Sequence, residues 1–254
     1  MEAILQTSKL SKSFSSGGVL QHVLKNIDME IFKEDFTVIM GASGSGKSTL
    51  LYALSGMDTP SLGAVTYKGD TELNIAALSQ DELAEFRSKN CGFVFQQIYL
   101  VDSMSVLDNV LLSGLLVNKN KREVLEIAKK LLKSVGIEDN MFNKFSTQIS
   151  GGEAQRVGVA RAAINNPKIL FADEPTGALN SQNSKMVLDV LTELNNLGQS
   201  VVMVTHDLNS ALRANRILYL KDGQIIGELR IGKFAPADEN RKKKVLEFLA
   251  GFGW

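Results

Sequence analysis

The chain lacks several features that would narrow its class. It has a single cysteine, Cys91, among 254 residues, so no intrachain disulfide can form and a reducing compartment is expected. Two histidines and one cysteine make a zinc site improbable. Neither charge sign is in excess, with 28 basic and 28 acidic residues, so charge gives no reason to expect nucleic-acid binding.

Long apolar runs are also missing. The densest ones, residues 201–204 and 217–220, have the length of strands and fall short of the roughly 18 residues that a spanning helix needs. The first residues contain no basic stretch leading into an apolar core, so no signal peptide is expected. Any work at a membrane would therefore require docking onto another protein.

What is present predicts an α/β fold. Residues 26–32 alternate between apolar and charged side chains, as in a half-buried antiparallel strand. The continuously apolar Phe36–Met40 predicts a strand buried on both faces, followed by a helix over Lys47–Ser55. A capping box over 79–82 predicts a short helix through Arg87, and Cys91–Phe95 predicts another strand.

The second half predicts an inserted helical lobe and then a return to alternating strands and helices. Apolar residues recur at helical spacing over 105–135. Asp222-Gly223 predicts a hairpin turn. Beyond Pro236 we expect a terminal helix with a solvated basic run, 241–244, and with an apolar side formed by Val245, Leu246, Phe248 and Leu249. The other expected elements are a strand over 168–172, a helix over 181–197 and strands over 200–205, 216–221 and 224–229.

The sharpest motif is a glycine-rich loop between a predicted strand and a predicted helix. It reads Gly41-Ala42-Ser43-Gly44-Ser45-Gly46-Lys47-Ser48 and fits the phosphate loop of nucleotide-binding proteins. Its glycines let backbone N–H groups surround phosphate oxygens, and the helix N-terminus adds partial positive charge. Lys47 would reach the β- and γ-phosphates, and the Ser48 hydroxyl would ligate Mg²⁺.

A second motif places two carboxylates at the end of an apolar strand. In Ile169-Leu170-Phe171-Ala172-Asp173-Glu174, Asp173 would hold Mg²⁺ and Glu174 would position or deprotonate the attacking water. A solvated acidic turn is the alternative for this segment alone, and the phosphate loop upstream favours the catalytic interpretation.

A third motif narrows the class. Ile149-Ser150-Gly151-Gly152-Glu153-Ala154-Gln155-Arg156 opens a helix that Ser150 can cap, and its glycines expose N–H groups to an anion. This segment resembles the signature sequence of ABC ATPases. The resemblance implies a P-loop fold of ABC type with a mostly parallel core sheet, an N-terminal antiparallel subdomain and an inserted helical subdomain.

The same resemblance implies the site residues. Gln96 matches the glutamine that reports nucleotide state, His206 the switch histidine at the γ-phosphate, and Phe14 the aromatic that stacks on adenine, with a core aromatic as the alternative. The implied catalytic residues are Glu174, His206 and Gln96, and the implied metal ligands are Ser48, Gln96 and Asp173. The implied nucleotide-binding residues are Phe14, Gly41, Ala42, Ser43, Gly44, Ser45, Gly46, Lys47, Ser48 and Thr49, together with Ser150, Gly151, Gly152 and Glu153 from a second copy.

Two positions depart from the family pattern beside the phosphates. Glu153 replaces the usual glutamine of the signature, and Asn180 replaces the usual aspartate of the D-loop. We expect a tuned site that still hydrolyses ATP. A nucleotide-binding regulator with little hydrolysis is the alternative that these two residues leave open.

The expected organisation is one ABC ATPase domain over 1–254. Residues 1–95 and 157–232 would form the core with its antiparallel part, 96–156 a helical subdomain, and 233–254 a helical tail. The chain resembles ATPases of the lipoprotein-release, macrolide-export and cell-division group, and its 177–181 D-loop and basic tail resemble the bacitracin- and lantibiotic-resistance branch.

The resemblance also implies partners and a location. These are a second copy of the chain, a membrane permease and a sensor kinase acting through that permease, at the cytoplasmic face of the cell membrane, with ATP and Mg²⁺ as cofactors. Antimicrobial-peptide resistance is the expected role. A cell-division or lipoprotein-release ATPase that transmits force, and a soluble ABC ATPase unconnected with transport, remain as alternatives.

Overall fold

Strands and helices alternate along most of the chain in this computed structural model, which describes residues 2–69, 71–236 and 238–254. The strands among these residues are β1 (Ala3–Ser16), β2 (Val19–Phe32), β3 (Phe36–Met40), β4 (Leu62–Tyr67), β5 (Leu73–Asn74), β6 (Cys91–Phe95), β7 (Ile169–Asp173), β8 (Ser200–Val204), β9 (Arg216–Lys221) and β10 (Gln224–Arg230). The α-helices are α1 (Lys47–Ser55), α2 (Gln80–Asn90), α3 (Val106–Val117), α4 (Lys121–Ser134), α5 (Gly151–Ala163), α6 (Ser181–Asn196), α7 (Leu208–Ala211) and α8 (Glu239–Ala250).

The chain divides into two compact units. The first joins residues 1–83 to 198–254, and the second comprises residues 84–197. The subdomain boundaries expected from the sequence, at 96 and 156, divide the chain differently and stay a prediction.

The first unit holds an antiparallel sheet and a group of parallel strands. The antiparallel sheet has the order β2-β1-β4-β5, and the expected alternation is confirmed in β2, where Ile27, Met29 and Ile31 are buried. Strand β3 is buried along its whole length and pairs in parallel with β8 and β9. The hairpin between β9 and β10 turns at Asp222 (φ 50°) and Gly223 (φ 79°), both left-handed as a two-residue turn requires.

The second unit pairs β6 with β7 in parallel and packs α3, α4 and α5 around a shared apolar core. The predicted helical stripe is confirmed at Val124, Ala128, Leu132 and Val135, which are buried in that core, whereas Ile127, which falls at the same spacing, is 36% exposed. The apolar pattern over 105–135 is not one helix, however. Helix α3 ends at Val117, and α4 begins at Lys121, where the Asn120 side chain caps it by accepting a hydrogen bond from Glu123 N.

The terminal helix α8 differs from its prediction at two positions. Arg241 belongs to the basic run expected in solvent, yet only 2% of it is exposed, whereas 242–244 are exposed as predicted. Leu246 was expected on the apolar side, yet it is 37% exposed, while Val245 and Leu249 are fully buried. At a spacing of 3.6 residues per turn, Arg241, Val245 and Leu249 lie on one face, which therefore faces the protein.

Candidate functional site

The phosphate loop lies between β3 and α1, as predicted. Gly44 (φ 79°) and Gly46 (φ 101°) are left-handed, and Gly46 caps α1 without any side-chain acceptor, so the N–H groups of the first turn face the loop. The ammonium of Lys47 bends across the loop and donates to the carbonyl oxygens of Gly41 (3.0 Å) and Ala42 (2.9 Å). This geometry gathers hydrogen-bond donors and a positive charge in one place.

The loop fits a chain of phosphates. Ser45 Oγ is buried, and within the described residues it has no hydrogen-bond partner. Because buried polar groups are normally hydrogen-bonded, this hydroxyl is available to donate to a phosphate oxygen. A side chain on Gly44 would project into open space, whereas one on Gly46 would lie 3.0 to 3.2 Å from Leu24 and Val23. The loop is thus open where a ligand would enter and tight where it rests on β2.

Two further predicted residues belong to the first unit. Phe14 lies on β1 with 43% of its surface exposed, and Lys12 Nζ lies 4.9 Å from its ring centre. Such a ring can stack on a base, and the core alternative for Phe14 does not suit its exposure. His206 follows β8 and is exposed, and its neighbour Asp207 caps α7 by accepting from Ser210 N at 2.7 Å.

The paired carboxylates end β7 in the second unit. Strand β7 is buried up to Ala172, and Asp173 and Glu174 are half-buried at its end. Glu174 adopts a left-handed backbone (φ 43°), a strain of about 1–3 kcal/mol that is concentrated at functional sites in proteins. The turn is closed by a bond from Gly177 N to Glu174 O at 3.0 Å.

The signature segment forms a capping box at the start of α5. Ser150 Oγ accepts from Glu153 N at 3.3 Å, and one oxygen of Glu153, Oε2, accepts from Ser150 N (2.7 Å) and Ser150 Oγ (2.8 Å). These bonds from the backbone and hydroxyl of Ser150 lower the pKa of the Glu153 carboxyl. The carboxylate is therefore ionised at neutral pH.

The D-loop connects the predicted residues of the second unit. A methyl group on Gly177 would come within 2.9 Å of Gln96 Nε2, and one on Gly151 would lie 3.8 Å from Leu179. Asn180 caps α6 by accepting from Asn183 N at 2.9 Å. The segment 177–180 therefore touches both Gln96 and the signature turn.

The predicted residues thus form two groups, one in each unit. Phe14, residues 41–49 and His206 belong to the first unit, and Gln96, residues 150–153 and the carboxylates 173 and 174 belong to the second. The expected metal ligands come from both groups, and their roles stay predictions.

The sequence motifs do not reveal two buried polar side chains, Gln155 and Asn109, and the half-buried Arg161, which bind backbone atoms at the end of β6 and in the segment after it. Gln155 Nε2 donates to Phe95 O at 2.9 Å, and Arg161 donates to the carbonyl oxygens of Ile98 (2.7 Å) and Tyr99 (2.5 Å). Asn109 accepts from Val101 N at 2.7 Å and donates to three carbonyl oxygens nearby. Their partners are backbone atoms, which no sequence motif reveals.

No helix among the described residues is long and apolar enough to cross a membrane.

Comparisons with known proteins agree on one family. The family profile described as ABC transporter matches residues 24–177, more than half of the chain. A macrolide export ATP-binding/permease protein, MacB, of Mannheimia succiniciproducens is 42% identical over 89% of this chain, which spans only 34% of that relative's length. An uncharacterized ABC transporter ATP-binding protein of Methanocaldococcus jannaschii is also 42% identical, over 88% of this chain and 98% of its own.

Solved structures give the same result. The dimeric ATP-binding cassette MJ0796 in a post-hydrolysis state, bound to ADP and Pi, superposes with a TM-score of 0.82 at 37% identity. It covers 91% of this chain and 100% of its own. The predicted fold class, an α/β cassette with an antiparallel and a mostly parallel sheet, is confirmed.

Proposed function

We propose that this chain, which belongs to the ABC transporter family, is the motor subunit of a transporter whose membrane-spanning permease is a separate protein. The chain is an ATPase, with ATP and Mg²⁺ as its cofactors. The serine–glycine turn at the start of α5 carries the proposal, because that turn distinguishes ABC cassettes from other proteins with a phosphate loop. A relative that this chain covers over 98% of its length is named as an ABC transporter ATP-binding protein, which supports the ATP-binding role.

We assign phosphate binding to the two turns whose backbone N–H groups can bind an anion. Residues 41–49 hold the phosphates, and Phe14 stacks on the base. The turn 150–152 of a second copy approaches the γ-phosphate, so that two chains close around two nucleotides. The dimeric cassette that superposes on this chain supports this closure.

Hydrolysis is assigned to Glu174 and His206. Glu174 accepts a proton from water as the water oxygen bonds to the γ-phosphorus and the bond to the β–γ bridging oxygen breaks. His206 donates a hydrogen bond to the γ-phosphate oxygens. Ser48, Gln96 and Asp173 are the residues that would hold Mg²⁺, and the ion would neutralise phosphate charge.

The test compares wild-type turnover with that of Glu174→Gln, and measures the mass of each protein with and without Mg-ATP. Glu82→Gln is the control for loss of a carboxylate charge, because Glu82 lies on α2, outside the assigned residues, and accepts hydrogen bonds from Ser79. We expect Glu174→Gln to lose turnover and to form an ATP-dependent dimer, and the control to behave as wild type. Unchanged turnover in Glu174→Gln would remove that residue from the chemistry.

The permease is proposed to dock on the segment after Gln96. Tyr99 (63% exposed) and Val101 (41% exposed) present apolar side chains, while Arg161 and Asn109 fix the backbone beneath them. Docking there would place the chain at the cytoplasmic face of the membrane. Tyr99→Ala should abolish the increase in turnover that the permease causes, and an undiminished increase would rule this surface out.

For the substrate, we propose an antimicrobial peptide or its complex with a cell-wall lipid precursor, with a sensor kinase bound through the permease. The 177–181 D-loop and the basic tail support this branch. The same ATPase could instead transmit force in cell division or lipoprotein release. The test is to delete the gene together with that of its permease and to measure sensitivity to antimicrobial peptides. Unchanged sensitivity would rule out peptide resistance and favour a role in cell division or lipoprotein release.

A further inference from the structure

The hydroxyl that the signature turn would offer to a γ-phosphate is already engaged within the chain. Ser150 Oγ lies 2.8 Å from Glu153 Oε2 and carries one proton, so it can donate to that carboxylate or to a phosphate oxygen, but not to both. Ser150 N donates to the same carboxylate oxygen at 2.7 Å. The Glu153 carboxylate therefore occupies the two hydrogen-bond donors of Ser150 that an incoming anion would need.

Because Glu153 is charged, it competes with a phosphate for the Ser150 donors more strongly than a neutral side chain would. Hydrogen bonds to a carboxylate are about twice as strong as those between neutral groups. A carboxylate also repels a phosphate brought to the same helix start, and that repulsion grows as water is excluded. A glutamine at this position would keep the capping geometry without the charge.

We propose that Glu153 is a positioning residue that holds the signature turn closed against anions and must release Ser150 before a γ-phosphate carried by a second copy can bind. Its effect is to raise the ATP concentration at which two chains close. This inference rests on the proposed ATP-bound dimer. It names the feature of this chain that sets the threshold for forming that dimer.

A capping role alone is the competing explanation, and the chain contains a matched capping box that separates the two. At the start of α2, Glu82 Oε2 accepts from Ser79 N (2.8 Å) and Ser79 Oγ (2.7 Å), and Ser79 Oγ accepts from Glu82 N (3.4 Å). The geometry is the same as at α5, but α2 carries no signature glycines. Any effect of helix capping should therefore appear in both boxes.

The experiment uses the full chain in the Glu174→Gln background, where ATP-bound dimers accumulate. The dimer fraction is measured by sedimentation across an ATP titration for Glu174→Gln alone, with Glu153→Gln, and with Glu82→Gln. We expect Glu153→Gln to lower the half-saturating ATP concentration about tenfold, which corresponds to about 1.4 kcal/mol. We expect Glu82→Gln to leave it unchanged. Raising the salt concentration should shrink the difference, because screening weakens the repulsion.

Three outcomes overturn the proposal. The same half-saturating ATP concentration for Glu153→Gln and Glu82→Gln would reduce Glu153 to a helix cap, while the proposed function would stand. A higher concentration for Glu153→Gln would mean that the carboxylate assists closure. No ATP-dependent dimer in the Glu174→Gln background would overturn the proposed dimer together with this inference. If Glu153→Gln does not fold, Glu153→Ala is used, and the same tenfold shift is expected.

Discussion

Replacing Arg241 with methionine tests what holds the C-terminal helix to the protein. The guanidinium is buried and donates to carbonyl oxygens from two separate segments, just after α7 and just after β10, and it lies 5.6 Å from the Phe234 ring centre. Methionine keeps most of the side chain's length and apolar volume but has no donor. The carbonyl oxygens that would lose their donor belong to Leu212, Ala214, Ile231, Gly232 and Lys233.

The size of the effect follows from those bonds. A hydrogen bond to a charged group contributes about 1.5–3 kcal/mol. Two features reduce the sum over five acceptors. Burial disfavours the guanidinium charge and lowers the pKa of Arg241, so removing the charge returns part of the desolvation free energy. Water can also reach some of the carbonyls once the helix loosens. We therefore expect a loss of about 3 kcal/mol.

The assay is amide hydrogen exchange in α8, which reports local opening without requiring the whole chain to unfold. A loss of about 3 kcal/mol corresponds to about 150-fold faster exchange in the first turns of the helix, around Arg241. The far end of the helix should stay partly protected, because Phe252 stacks on Tyr219 with 4.7 Å between ring centres.

The control is Lys242→Met, at the next position along the helix, which is exposed. This substitution should change the free energy of opening of α8 by less than about 0.5 kcal/mol. If the α8 amides of Arg241→Met exchange at the same rate as those of this control, the guanidinium does not hold the helix to the protein.

Three other substitutions test separate features. Asn109→Ala should lower the free energy of unfolding by about 2–3 kcal/mol in urea titrations, because Asn109 is 2% exposed and satisfies four backbone groups. Glu228→Gln should destabilise by about 1–2 kcal/mol at pH 7. Hydrogen bonds from Arg216 lower the pKa of Glu228 from 4.5 to about 2, and solvent screening weakens the interaction because the Glu228 side chain is 37% exposed. Since the folded pKa is the lower one, this stabilisation is present above pH 4.5 and is lost as pH falls towards about 2, so pH-dependent unfolding should show the two proteins converging. Gly177→Ala should leave stability within about 1 kcal/mol but reduce turnover about tenfold, since the new methyl group displaces Gln96, and an ATPase assay measures it.

Elements fixed by local signals could be predicted to the residue. The observed bounds of β3, α1 and β6 agree with those predicted from the sequence, because glycines or a change of polarity mark the ends of these elements. The turn at Asp222-Gly223 is equally local, since it requires two left-handed residues in a row. The phosphate loop and the signature cap belong to the same class, because donors and acceptors are a few residues apart.

The burial of Arg241 could not be predicted in this way. Hydrophobic periodicity predicts whether a residue is buried from the polarity of its own side chain, and it therefore predicts that an arginine in a basic run is exposed to solvent. Its burial depends on carbonyl groups left unpaired by two segments that are distant in sequence. Arg161 is the same case, because its partners are the backbone oxygens of Ile98 and Tyr99. Polar side chains that satisfy distant backbone groups are visible only in the folded chain.

The two departures from the family pattern are not equivalent once their contacts are known. Asn180 accepts from Asn183 N at 2.9 Å and caps α6, which an aspartate would also do, so this substitution removes a charge and keeps the local geometry. Glu153 adds a charge and accepts a hydrogen bond from the Ser150 hydroxyl, which is the group that we propose binds the γ-phosphate. Of the two reasons for suspecting a regulator with little hydrolysis, only Glu153 therefore bears on nucleotide binding directly. We therefore expect Glu153 to affect closure of the proposed dimer and not the hydrolysis step, because the carboxylates that end β7 are of the usual type.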